Sequence, residues 1–514
     1  MTGAAARLGW GVLSTICLLP LWPMLVRGDA PAGYRLLLVA VWLAVAALRQ
    51  RAVVLAAVLP LGLFWAKVCG VSSSTLVAES LALACASGGA FGMTLRYAPQ
   101  RTLLGLPALV LGAAIVTSAF VELWAVRAVA PMRPFFTDLW YHVRVLYWTE
   151  DAGNWIVVHD AVRWVGALVM AAIVERAIRA HESGYRVTVW AWLAAAAAAT
   201  SFTAVRVGEV VVRRQTGIVE SIAWIFTNVR LSVLHPDPNA AGSILAWLVA
   251  AGLIIGLRRR LSWMLVLVVA PLAATFVFAQ SRAAVGALVV VLLARWLVPR
   301  LAMARGLVWM LIAATAIVAA VGTWMASSRS HIAATQALAL RVQMLEVGLK
   351  MAARFPVFGV GLGDYARTSR RFIPPDLQEL AVFASSGKFD SAQNIIPAGE
   401  NAHNNFLQVL VELGSLAFVA FLGLVLPAAA VAWRGSPGRL TPEQDGLCVG
   451  LSAFLISAFF GHPLLIPEVQ TMWAIGLGLA VACVDLSRWT SRPWTIGAWA
   501  AASFYAASLL WRLS

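Results

Sequence analysis

The sequence predicts an all-α polytopic membrane protein with about 14 or 15 transmembrane helices and a large outer loop that contains an amphipathic helix. Three observations carry this. Hydrophobic residues make up 61% of the 514 and charged residues only 12%, with a mean hydropathy of +0.83, a balance that no water-soluble domain of this size shows. Apolar runs of about 17 to 25 residues, each enough to cross a hydrocarbon core of roughly 30 Å, recur from one end of the chain to the other. Arginine is gathered in alternate short loops, as the positive-inside rule requires of cytoplasmic ones.

Spans are expected near 8–26, 34–48, 52–69, 75–95, 103–125, 156–178, 187–205, 240–257, 261–280, 283–298, 306–326, 404–433, 445–461 and 468–486, with 494–511 as the fifteenth. The first follows Arg7 and precedes Arg27-Gly28-Asp29 rather than a small-residue cleavage site, which predicts a retained helix that starts in the cytoplasm. The inner loops then carry Arg49 and Arg51, Arg96 and Arg101, Arg176 to Arg186, Arg258 to Arg260, Arg295 to Arg305, Arg434 and Arg439, and Arg488 and Arg492. On this reading residues 1–205 are N-terminal helices, 206–326 central helices with arginine-bearing outer segments, 327–403 a large periplasmic loop and 404–514 C-terminal helices.

Cys17, Cys69, Cys85, Cys448 and Cys483 lie in or at the ends of spans without ligand spacing, so neither a disulfide framework nor a zinc site is expected. The net charge of +16 rests on arginine, the lysines being Lys67, Lys350 and Lys388 alone. Because these arginines are divided between thin inner loops and a few outer segments, no nucleic acid partner is expected.

Three outer segments hold more arginine than topology asks for. In the first, about 126–155, the Trp and Tyr residues read as an interfacial belt. The second, about 206–239, contains Arg206, Arg213 and Arg214, which suit anionic lipid heads as well as a substrate, and Arg230, followed by the turn-forming stretch His235-Pro236-Asp237-Pro238-Asn239. The third, about 327–403, opens with apolar residues at helical spacing, Leu340, Met344, Val347 and Met351, beside Arg341, Glu346, Lys350 and Arg354. This predicts an amphipathic helix that ends before Pro356. Next comes Phe358-Gly359-Val360-Gly361-Leu362-Gly363; with no strand or βαβ unit around it, its glycines suit tight turns and close backbone approach rather than a dinucleotide. Residues 366–400 read as irregular, as a substrate lid would be.

Just before the chain re-enters the bilayer stands Gly399-Glu400-Asn401-Ala402-His403-Asn404, running on to Gln408, Glu412 and Gly414. A titratable imidazole at a membrane surface, beside basic segments, is suited to taking a proton from a hydroxyl while arginines hold a phosphate. Topology places Arg282, in Gln280-Ser281-Arg282 between two spans, at the same outer depth as His403 and Arg230.

These features resemble the bacterial O-antigen ligase and O-antigen polymerase superfamily of membrane glycosyltransferases over roughly residues 205–485. The pattern of His, Asn, nine residues and Gly is met by His403, Asn404 and Gly414, with Ala417 where the family usually has a further Gly. Arg282 resembles the family's Ser-Arg motif before a span. Arg230 ahead of Pro238-Asn239 resembles its Arg and Pro-Asn turn, though spacing leaves Arg206, Arg213 or Arg214 as alternatives.

The resemblance implies an enzyme of the bacterial inner membrane, working at its periplasmic face in lipopolysaccharide or exopolysaccharide biosynthesis. Its donor would be an undecaprenyl-pyrophosphate-linked glycan and its acceptor lipid A-core or a growing glycan, surrounded by membrane lipids. His403 would be the catalytic base, giving inversion at C1, and Arg230, Arg282, Arg206 or Arg214 would bind the pyrophosphate. Glu400, Asn401, Asn404 and Asn239 would support them. No cofactor is expected, and with no compact Asp-rich motif among Asp364, Asp376, Asp390 and Glu400, no metal. The leading expectation is ligase-type transfer; the alternatives are a repeat-unit polymerase, a protein O-glycosyltransferase and a lipid-linked-sugar transporter.

Overall fold

The computed structural model describes residues 3–27, 30–48, 51–68, 74–95, 102, 104–129, 156–215, 217–228, 237–297, 331–373, 401–434 and 440–484. The expected spans 306–326 and 494–511, Arg230, Glu400 and most of the irregular stretch 366–400 lie outside them. The described residues form helices and no strand. In chain order they are α1 (Gly3–Leu18), α2 (Ala32–Ala47), α3 (Arg51–Val68), α4 (Ser74–Leu95), α5 (Gly105–Val129), α6 (Ile156–Ala180), α7 (Tyr185–Arg214), α8 (Ile218–Asn228), α9 (Pro238–Arg259), α10 (Ala270–Ala279), α11 (Arg282–Leu297), α12 (His331–Arg354), α13 (Tyr365–Ser369), α14 (Asn405–Arg434), α15 (Pro442–Phe459) and α16 (Pro467–Ala482). A π-helical turn, Leu265–Val269, leads into α10.

Among the described residues six helical stretches are long and apolar enough to cross a membrane: Leu76–Leu95, Gly105–Leu123, Val157–Ala180, Glu182–Arg214, Pro238–Arg259 and Asn405–Trp433. Helices occupy the other expected spans within the described residues, but shorter ones such as Ala32–Ala47, at 16 residues, fall below full crossing length, so six is the number length and composition support. The largest departure in length is α7, whose 30 residues run well past the expected 187–205 because its arginine-bearing end continues the helix.

The core is aromatic where the central helices meet. Trp192 of α7, Trp247 of α9 and Phe454 of α15 form a chain of ring contacts, with centroids 5.6 Å and 5.7 Å apart. The Trp247 indole N–H donates to the Leu447 carbonyl at 2.9 Å, so its one polar atom is satisfied inside the bundle. Small residues bring α15 against α9: a Cβ on Gly450 would lie 2.6 Å from the Trp247 carbonyl oxygen.

The two ends of this bundle are chemically distinct. Where α9 ends and α15 begins, Arg258 and Arg295 meet Asp445 at 2.9 Å and 2.7 Å, and Arg259 meets Glu443 at 2.8 Å. Both carboxylates stand in the first turn of α15, behind a Thr441–Gln444 capping box, where the helix dipole favours negative charge. At the opposite end lie the starts of α9, α11, α14 and α16, and that end carries His403.

Candidate active site

His403 precedes α14 in a short segment whose backbone is tied down by side chains. Asn401 Oδ1 accepts the His403 N–H at 2.8 Å, Gln408 Oε1 accepts the Ala402 N–H at 2.8 Å, and Gln408 Nε2 donates to Glu412 at 2.6 Å. Asn404 caps the helix, its Oδ1 accepting the N–H groups of Phe406 and Leu407 at 3.0 Å each. Within this frame His403 adopts a left-handed backbone, φ +46°, a conformation that costs a non-glycine residue on the order of 1–3 kcal/mol and persists only where surrounding contacts impose it. Neither nitrogen of its imidazole has a hydrogen-bond partner among the described residues, so the ring is available to a substrate.

The neighbours of His403 come from four other elements. His462, after the end of α15, presents its ring edge to face, with centroids 4.9 Å apart. Its Nε2 faces Asp237 at 3.3 Å, and Asp237 caps α9 by accepting the Asn239 N–H at 2.8 Å. Asn405 joins this corner together, its N–H donating to the Gly461 carbonyl at 3.0 Å while its Oδ1 accepts the Leu464 N–H at 3.0 Å. Arg282 opens α11 directly after a left-handed turn at Gln280, φ +51°. Ser281 is buried against Gly242, where a Cβ would lie 2.4 Å from the serine Cβ, so the close approach of α9 and α11 sets where Arg282 emerges.

Arg341 arrives on α12. That amphipathic helix forms as expected, spans His331–Arg354 and buries Met344, Val347 and Met351; the Leu340 side chain lies outside the described residues. Arg341 is solvent-exposed by surface area, yet protein packs round its guanidinium, and that desolvation together with the Arg282 charge lowers its pKa. The same Arg341 charge acts on His403, whose pKa falls from 6.5 to about 4 through burial first, then His462, then Arg341, with Asp237 opposing. Asp237 itself is held at about 2: burial alone would raise it, but His462 and the backbone N–H groups of Asn239 and Ala240 outweigh that. Positive charge from Arg282 and Arg341 is therefore gathered at the end of the bundle that carries His403, chemistry suited to an anion.

The glycine-rich stretch supports this end from below. α14 is broken at Gly414, φ +79° and ψ −179°, and the backbone of residues 356–361 fits into the break. The N–H groups of Val360 and Gly361 donate to the Val411 and Glu412 carbonyls at 2.8 Å and 3.1 Å, and the Ser415 N–H donates to the Pro356 carbonyl at 2.8 Å. A Cβ on Gly414 would lie 2.0 Å from the Val357 carbonyl oxygen, and one on Gly359 2.3 Å from that of Glu412. Close backbone approach is thus the use of these glycines. The stretch is also pinned to α5, where Ser118 accepts the Leu362 N–H at 2.8 Å and Glu122 pairs with Arg367 at 2.7 Å.

A helical membrane domain with a histidine, two facing arginines and a glycine-rich insertion stands against one family in particular: residues 267–422 match the model of the family described as O-Antigen ligase. Over that segment the chain is similar to the O-antigen ligase/polymerase superfamily. Members of this superfamily are membrane glycosyltransferase-type enzymes that act on lipid-linked glycans. The O-antigen ligase segment takes in Arg282, Arg341, His403 and Gly414, and leaves Asp237 and His462 outside it. No curated protein matches the sequence.

Of the residues singled out from the sequence, the structure brings His403, Asn401, Asn404, Asp237-linked Asn239 and, through Arg341, Arg282 to one corner of the helical bundle. Asn401 and Asn404 engage backbone N–H groups there through their side chains, whereas Asn239 gives its backbone N–H to Asp237. Arg206 instead pairs with Glu209 at 2.9 Å, and the Arg214 guanidinium stands 4.4 Å over the Trp224 ring of α8, so both have local partners. Among the described residues no three or more His, Cys, Asp or Glu side chains cluster as metal ligands would. Arg341 appeared in the sequence only as one charge of an amphipathic helix, and His462 drew no attention; its position at the outer end of a span, like that of His403, was the available signal.

Proposed function

We propose that the protein is an O-antigen-ligase-type glycosyltransferase, inverting and metal-independent, which moves a glycan from undecaprenyl pyrophosphate to a hydroxyl acceptor at the periplasmic face of the inner membrane. The observation that carries this reading is that three residues distant in the chain act on one another at one end of the bundle, the Arg341 charge on His403 and the Arg282 charge on Arg341. Arg230 lies outside the described residues, and the local partners of Arg206 and Arg214 make Arg341 the better companion for Arg282.

In this mechanism the acceptor oxygen attacks the donor sugar C1 as His403 takes its proton, and the C1–O bond to phosphate breaks on the opposite side. Arg282 and Arg341 stabilise the charge that develops on the departing pyrophosphate through forked hydrogen bonds, each contributing on the order of 1.5–3 kcal/mol. Burial keeps the imidazole neutral and able to accept a proton until the anionic donor enters and offsets the arginine charge. The leading acceptor in this reading is lipid A-core, with a growing glycan chain as the alternative.

Reconstitution in liposomes with synthetic undecaprenyl-pyrophosphate glycan, offered lipid A-core and glycan acceptors in parallel, tests the reading. His403→Ala is expected to bind donor normally while transfer falls by about 10²–10⁴-fold. Wild-type turnover in that variant sinks the mechanism, and extension of the glycan in place of the lipid acceptor would reassign the enzyme as a polymerase.

A further inference from the structure

A base at His403 that takes a proton in each transfer must be relieved of it before the next. Beside His403 the chain has built an arrangement suited to this, from residues outside the segment that matches the O-antigen ligase family. Asp237 is anchored as the cap of α9, and its carboxylate faces His462 Nε2 at 3.3 Å. An ionised carboxylate there selects the tautomer of His462 that carries its proton on Nε2, which leaves a lone pair on Nδ1. That Nδ1 is buried and has no hydrogen-bond partner among the described residues. A buried acceptor without a partner is costly in a packed protein unless it has a use in the working cycle. The ring that carries it meets His403 edge to face, 4.9 Å between centroids.

We propose that His462, oriented by Asp237, is a positioning residue that receives the proton from His403 after each transfer; this rests on His403 being the base. The acceptor hydroxyl gives its proton to His403 as its oxygen bonds to C1, and the electron pair of the broken C1–O bond leaves with the pyrophosphate. The His403 imidazolium then releases that proton to the Nδ1 lone pair of His462, through rotation of the His403 ring or one bridging water, since no hydrogen bond joins the rings directly. His462 becomes an imidazolium paired with Asp237, and passes the proton to water as the site resets. The charges around the pair favour this direction. Arg341 of α12 acts on His403, with Arg282 of α11 beyond it, while Asp237 of α9 stands behind His462.

The test uses the full-length protein in liposomes and compares the wild type with His462→Ala, His462→Gln and His403→Ala. Donor binding is measured with undecaprenyl-pyrophosphate glycan, and turnover with saturating acceptor. Both His462 variants are expected to bind donor within about 2-fold of wild type and to lose about 10–100-fold in turnover, at the low end of general acid–base contributions. Added imidazole should restore turnover to His462→Ala in proportion to its neutral fraction, and should not restore His462→Gln, whose side chain occupies the space. Turnover within about 3-fold of wild type in either variant overturns the proposal, as does a loss confined to donor binding or, in His462→Ala, one insensitive to imidazole. Wild-type turnover in His403→Ala would instead remove the base itself, a failure distinguishable from that of the relay.

Discussion

His403 is surrounded by groups that oppose its protonation, and this has consequences for both activity and stability. With the imidazole at about 4 in the folded protein and near 6.5 when unfolded, the unfolded chain binds more protons between those values. The resulting contribution to stability is complete above pH 6.5, is lost as pH falls toward 4, and levels off below. The acid limb of kcat/KM, which reports the free enzyme, is therefore expected well under 6.5, whereas that of kcat should lie higher because bound pyrophosphate offsets Arg341 and Arg282. Coincident limbs near 6.5 in both profiles would contradict this electrostatic account. The arginines make a second prediction at this scale. Arg282→Lys and Arg341→Lys should each lower kcat/KM by about 10–100-fold, since a point-charge ammonium does not reproduce a forked contact, and the double variant should lose less than the product of the two because they share one anion. A cycle measured with the lipid-linked donor checks this; full additivity would mean the two do not grip the same phosphate.

At the scale of elements, the decisive feature is the break in α14. Helical periodicity makes 404–433 one continuous apolar run, and nothing along it marks Gly414 as the place where another segment enters. Gly359 was legible as a site of close approach, but its partnership with Gly414 was not, because it is made between backbones more than fifty residues apart. Gly414→Ala is expected to be destabilising by more than about 1–3 kcal/mol, since its φ of +79° and the Val357 carbonyl both exclude a Cβ, and transfer should fall with the loss of the support beneath His403. Gly423→Ala, on the same helix but with its nearest atom at an ordinary 3.5 Å, should be close to neutral. Thermal unfolding of the purified variants reads the difference, and equal midpoints would mean the insertion contributes little. The amphipathic α12 was fully legible, because one face of apolar side chains at helical spacing is a local signal.

For the whole molecule, the two ends of the bundle separate stability from chemistry. Asp445 holds Arg258 and Arg295 at the end opposite His403, so Asp445→Ala leaves two guanidinium groups without their carboxylate and should cost about 3–5 kcal/mol of stability. Donor affinity should be unchanged in the folded fraction; a shift in affinity without one in the unfolding midpoint would mean the two ends are coupled. The sequence by itself determined the helical class, the positions of most of the described helices, the amphipathic α12 and the common end of the bundle for His403 and Arg282, because hydropathy, periodicity and loop order are properties read along the chain. Only the tertiary structure decided that Arg341 is the arginine facing Arg282, that Asp237 and His462 stand behind His403, and that Arg206 and Arg214 have partners of their own. The reason is geometric: topology sets one coordinate, the depth of a residue across the membrane, whereas its position within the plane follows from which helices pack together, and that depends on side chains far apart in sequence.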